Sequence, residues 1–134
     1  MGGLHMATAL EAWEKKLKLI FNEIDAALEA RYGTLFARKP TRPPSGSTCN
    51  PQYDGLFDIG ASYTVGLGSA YGEGYVVEIR WVTLDEVPGD VKLEAEAVAE
   101  NILTRRLPEE FPGKNLRVAH DISGMKIIGN LALE

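Results

Sequence analysis

The stretch Phe57-Asp58-Ile59-Gly60-Ala61-Ser62-Tyr63-Thr64-Val65-Gly66-Leu67 decides the fold, because its side chains alternate in character with a period of two. Phe57, Ile59, Ala61, Tyr63, Val65 and Leu67 share one face, while Asp58, Gly60, Ser62, Thr64 and Gly66 share the other. That alternation predicts a strand with one buried face. It recurs downstream, where Tyr75, Val77, Ile79 and Trp81 are set against Val76, Glu78, Arg80 and Val82. The glycine-rich run Gly68-Ser69-Ala70-Tyr71-Gly72-Glu73-Gly74 between them predicts an antiparallel hairpin. If Leu67 pairs with Tyr75, Ser62 falls opposite Arg80 and Thr64 opposite Glu78.

Upstream of the hairpin, Leu10, Trp13, Leu17, Ile20, Phe21, Ile24 and Leu28 recur at steps of three and four, the stripe of an amphipathic helix. Thr8-Ala9-Leu10-Glu11 fits a capping box and Gly33 supplies a left-handed stop, so a helix is predicted over 9–32. Glu11 with Lys15 and Glu14 with Lys18 stand four apart on its wet side. Residues 34–55 contain Pro40, Pro43, Pro44 and Ser45-Gly46-Ser47-Thr48, and read as a long irregular loop. Downstream, Thr83-Leu84-Asp85-Glu86 imitates a capping box, but Pro88-Gly89 limits it to one turn. A second helix is expected after Asp90, with Val91, Ala95, Val98, Ile102 and Leu103 inward, Arg105 and Arg106 at its carboxyl end and Pro108 as its stop. Residues 116–120 and 125–133 read as two more strands joined at Ser123-Gly124.

The resulting order, α-β-β-α-β-β, predicts an α+β two-layer sandwich: a four-stranded antiparallel sheet with both helices on one face. At 134 residues the chain has room for one core, so residues 7–134 are expected to form a single domain. Residues 1–6 read as an expression-vector remnant ahead of a native start, which leaves His120 as the one native histidine.

Composition narrows the function classes. A net charge of −5 argues against nucleic acid and anionic membrane as partners, since both are held through clustered basic residues. No apolar run is long enough to span a bilayer, and a basic segment leading an apolar stretch is absent from the amino terminus. The single cysteine, Cys49, forbids an intramolecular disulfide and points to a reducing, cytoplasmic setting. One cysteine and one native histidine cannot make the usual zinc ligand sets, and no cofactor fingerprint is present, so no metal and no cofactor are expected.

Four places remain where chemistry could sit. Arg38-Lys39-Pro40-Thr41-Arg42-Pro43-Pro44 holds cations on stiff backbone, suited to a small anionic ligand or an acidic partner; the plainer alternative is a solvated linker. The glycine-rich run lacks the lysine and hydroxyl of a P-loop and reads as a turn, with Tyr71 and Tyr75 as contact residues at its tip. The strip of small residues from Asp58 to Gly66, bordered by Glu78 and Arg80, offers close approach to backbone. It is expected to be covered by the 34–55 loop, a second subunit or a ligand, or else to stay wet. The fourth is Cys49 with the adjoining Asn50-Pro51-Gln52-Tyr53-Asp54-Gly55. A Cys49–His120 dyad would need the fold to join distant segments, and strand parity places His120 with Leu116 and Val118 at the core edge instead.

With no nucleophile–base set, the sequence favours a binding or assembly module over an enzyme, self-associating as a homodimer or docking a partner protein. The alternative is a small enzyme or anionic small-molecule binder sited between the 34–55 loop and the polar sheet face. Arg38, Arg42, Tyr53, Asp54, Asp58, Tyr71, Glu78 and Arg80 are the candidate contact residues.

Overall fold

Helix α1 (Gly2–Tyr32) buries Trp13, Leu17, Ile20, Phe21, Ile24, Leu28 and Tyr32, the stripe that its three-and-four spacing demands. The computed structural model describes residues 2–122 and 124–133. The helical backbone continues to the amino-terminal side of Thr8, so Thr8 lies inside α1 and does not cap it. Helix α2 (Gly89–Glu110) packs beside it with Ala95, Ala99, Leu103 and Leu107 buried and Val91, Val98 and Ile102 against the core margin. α2 does not stop at Pro108. The proline costs one amide donor in the last turn, but Leu107 still accepts from the Phe111 N–H, and the Phe111 ring is anchored 4.5 Å from Trp13. Arg105 and Arg106 reach across from α2 to Glu23 of α1 and clasp the two helices.

The other layer is one antiparallel sheet in the order β1-β2-β4-β3, built from β1 (Phe57–Thr64), β2 (Gly74–Trp81), β3 (Arg117–Asp121) and β4 (Gly124–Ile128). The element order is α-β-β-α-β-β, as the sequence predicts. Phe57, Ile59, Ala61, Val77 and Ile79 face the helices, so the alternation that defines the hairpin is real. Its register is not the expected one: Ser62 lies opposite Val76, Thr64 opposite Gly74, and Asp58 opposite Arg80. β1 ends at Thr64 because Gly66 turns the chain with φ +79°, a conformation open to glycine, and its position against Gly72 leaves no room for a side chain. Val65 and Leu67 therefore leave the core face, and Leu67 is 90% exposed. β4 is shorter than expected for a similar reason, since Gly129 adopts φ +133° and Asn130 turns away to bond Lys114. Ser123, half of the expected turn, lies outside the described residues.

The loop after β1 folds back over the sheet face opposite the helices. There it seals Lys126 of β4, which is 0% exposed. The Lys126 ammonium is held by Asp121 at 2.8 Å, the Gly72 carbonyl at 2.7 Å and the Ser69 hydroxyl at 3.0 Å. Ser69 in turn donates to Asp121 at 2.6 Å. A buried charge survives only where such partners replace water. Lys126→Ala is expected to destabilise the fold by roughly 3–5 kcal/mol, because it takes the cation out of a buried ion pair. Urea unfolding measures this, and a loss below ~1 kcal/mol would show that the ammonium is not the latch of the loop.

Candidate functional site

Segment 34–55 is not structureless. Arg38 forms a bridge with Thr83, residues Pro51–Tyr53 make a short 3-10 turn, and Asp85 accepts from the Ala37 N–H at 2.8 Å. Thr83-Leu84-Asp85-Glu86 forms no helix; its Thr83 and Asp85 side chains pin this loop instead. Arg42 is the central fastener. Its guanidinium donates to the carbonyls of Gln52 (2.6 Å), Phe57 (2.7 Å), Asp54 (3.0 Å) and Gly55 (3.1 Å).

The eight candidate residues do not form one site. Asp58 and Arg80 pair at 2.9 Å on the polar face, with Glu78 beside them around a shallow recess that includes Gln52, Gly60 and Ser62. The 34–55 loop does not cover that recess: Ser62 is exposed and open space stands above Gly60. Tyr53 is exposed on the 3-10 turn, and Tyr71 is exposed at the remote hairpin tip. Arg38 is exposed and bonds the Arg42 carbonyl. Asp54 is 1% exposed, accepting from the Thr48 N–H at 3.0 Å and the Thr48 hydroxyl at 2.7 Å. Burial pushes its carboxyl up, but the bonds from Thr48 and Gly46 and the Arg42 charge outweigh this and hold it below the ordinary carboxylate range. Cys49 is exposed. His120 is exposed as well, and its ring bonds Glu100 of α2, so it sits on the helix side of the sheet but outside the core.

A different place gathers unsatisfied chemistry. Between α1 and β1 lies a cavity of about 310 Å³, lined by Leu10, Trp13, Leu17, Phe21, Ile59, Ala61 and Tyr75, with Glu14, Lys18, Asn22, Asp25 and Gln52 as its polar members. Lys18 does not pair with Glu14 across its helix turn; it donates to Asn50 at 2.6 Å and ties the loop to the cavity rim. Asp25 is 4% exposed, and its Oδ2 has no hydrogen-bond partner. The indole N–H of Trp13 is likewise buried without a partner. Buried polar atoms of this kind are rare and ask for a cause.

Asp25 occupies a stripe position, four residues after Phe21 and three before Leu28, so the helix drives it into the core with its apolar neighbours. Desolvation, with the nearby charges of Glu29, Asp54 and Asp58, raises its pKa from 3.8 to about 7, against the opposing pull of Arg42. Sequence reading passed over Asp25 among the 19 acidic residues, although a carboxylate inside an apolar stripe was the available signal.

An acid whose pKa is higher folded than unfolded binds more protons in the native state between those values. Stability is then lost as pH rises from about 4 to about 7 and is flat above that. Asp25→Asn is expected to remove this slope. The variant should be more stable than the parent at pH 8 by roughly 2–4 kcal/mol and match it near pH 3.5, since each pKa unit is worth about 1.4 kcal/mol. Urea titrations across pH check this; parallel curves for the two proteins would contradict it.

Among the described residues, no three His, Cys, Asp or Glu side chains gather as a metal site, and no helix is long and apolar enough to cross a membrane. No solved structure matches the chain. An uncharacterized protein of Borreliella burgdorferi is 33% identical over 117 residues, covering 87% of this chain and 91% of the relative. A family model described as "Uncharacterised protein" matches residues 8–129. That match takes in the lining of the α1–β1 cavity and all four strands, and the chain belongs to this family.

Proposed function

We propose that the chain is a binding module whose site is the groove between α1 and β1, taking a ligand with an apolar body and a cationic tip that meets Asp25. The observation that carries this is the nearly buried carboxylate with an unpartnered oxygen among the residues lining an apolar cavity. A carboxylate in that setting is costly without a partner, and a cation brought to it recovers the lost interaction. The apolar walls would hold an aliphatic stem, as they do for the stems of long basic side chains. Glu14 adds negative charge at the rim, while Lys18, the cation of the same lining, is engaged by Asn50. A small anionic ligand suits this groove poorly, and Arg42, which was expected to hold one, has its guanidinium engaged by the loop.

A second reading, contact with another copy or a partner protein, draws support from the other end of the sheet. Val65, Leu67, Tyr71 and Ile122 are exposed there, on loops joined by the Ser69–Asp121 bond.

Isothermal titration with n-hexylamine, n-hexanol and hexanoate tests the groove. The amine is expected to bind best and hexanoate worst. Affinity for the amine should rise with pH and level off above about 7, where Asp25 is ionised. At ~100 times its dissociation constant the amine should stabilise the fold by about 2.7 kcal/mol. Equal binding of amine and alcohol, or no change in Asp25→Asn, would sink the proposal.

A further inference from the structure

The groove has a shape and a border that a compact ligand would not use. Trp13 and Asp25 are separated by twelve helical steps, about 18 Å at ~1.5 Å per residue, and both line it. Glu29, just past Asp25 on α1, bonds the Leu56 N–H ahead of β1. Trp13 stacks 5.7 Å from Tyr75, which pairs with Tyr63 near the end of β1. α1 thus runs antiparallel to β1, and the groove follows the strand. About 310 Å³ spread over that length makes it an elongated groove.

The strand it follows is an edge. β1 is the terminal strand of the sheet, paired on one side with β2. The Leu56 carbonyl accepts from the Val82 N–H on the β2 side, whereas the Phe57 carbonyl points away and accepts from Arg42. In an antiparallel ladder the amide and carbonyl of one residue point the same way and alternate along the strand. The main-chain groups of Ile59, Ala61 and Tyr63 therefore point outward, beyond the place where Arg42 closes the row; Gln52 of the 3-10 turn stands at this edge beside Gly60 and Ala61, and an added strand takes the place of its side chain there. An open row of donors and acceptors is a template for another strand.

From these observations, and resting on the groove reading above, we propose that the ligand is an extended peptide that adds to β1 along Ile59 to Tyr63 and lays a lysine side chain in the groove, its ammonium toward Asp25. The main chain would supply affinity and the groove would supply selection, the division of labour typical of strand addition. A second copy of this chain is a poorer occupant, because the side chains of its own β1 that could fill a neighbour's groove, Phe57 and Ile59, are buried in its own core. The net charge of −5 favours a basic peptide on encounter.

The test uses the intact chain and a fluorescein-labelled heptapeptide, Ser-Val-Thr-Lys-Thr-Val-Ser, read by anisotropy alongside hexylamine titration. Three relatives of the peptide are compared: lysine replaced by norleucine, and N-methylation of alternate amides along one edge or along the other. The expected result is at least tenfold weaker binding of the norleucine peptide, loss of binding on N-methylation of one edge and near-normal binding on N-methylation of the other. In Asp25→Asn the lysine and norleucine peptides should bind alike. Equal binding of both N-methylated forms, or no binding of the lysine peptide at millimolar concentration while hexylamine binds, overturns strand addition and leaves the groove reading standing. Failure of hexylamine and peptide together removes both. Binding of spermidine in place of any peptide would identify a polyamine groove and also overturns the proposal.

Discussion

One carboxylate on the wrong side of a helix organises this molecule. α1 must bury its stripe against the sheet, and Asp25 is part of that stripe, so it could move fully into water only by rotating Phe21, Ile24 and Leu28 out of the core. Folding therefore takes the acid in along with its neighbours. The surroundings make matters worse for the ionised form, since Glu29, Asp54 and Asp58 add negative charge on the same side and Arg42 compensates in part.

The 34–55 loop frames the groove between α1 and β1. Arg42 gathers the carbonyls around the 3-10 turn, Asp54 is locked by Thr48, and Lys18 and Glu29 of α1 anchor the loop to Asn50 and Leu56. These bonds set Gln52 at the border of both the groove and the polar recess. They also determine which charges Asp25 experiences. Arg38 and Arg42 are occupied in fastening the loop to itself, so the loop shapes the site while contributing few free groups to it.

The layers and the element order were legible because each depends on local periodicity, steps of three and four for α1 and steps of two for Phe57–Ala61 and Tyr75–Trp81; the hairpin register and the strand order were not. What was not legible depends on contacts between distant segments. Nothing in Val65 or Leu67 reveals that Gly66 turns the chain to lay a loop over Lys126, whose partners Ser69 and Gly72 lie more than fifty positions away. Pro108 is a valid local stop signal, overridden by the burial of Phe111 against Trp13. Arg42 and Asp54 were recognised as polar groups in a suggestive loop, but their partners are its own main chain and side chains. Asp25 was hidden for the opposite reason, because a helix with many acids disguises the one that points inward.

The protonation state of Asp25 is where the account can be struck most directly. A carbon-detected NMR titration of its side-chain carboxyl reports that single group without reference to stability or ligand. A midpoint near 7 is expected, moving downward when hexylamine occupies the groove. A midpoint near 4 in the free protein, unmoved by the amine, would mean that this carboxylate is solvated and that the groove has no buried charge to offer.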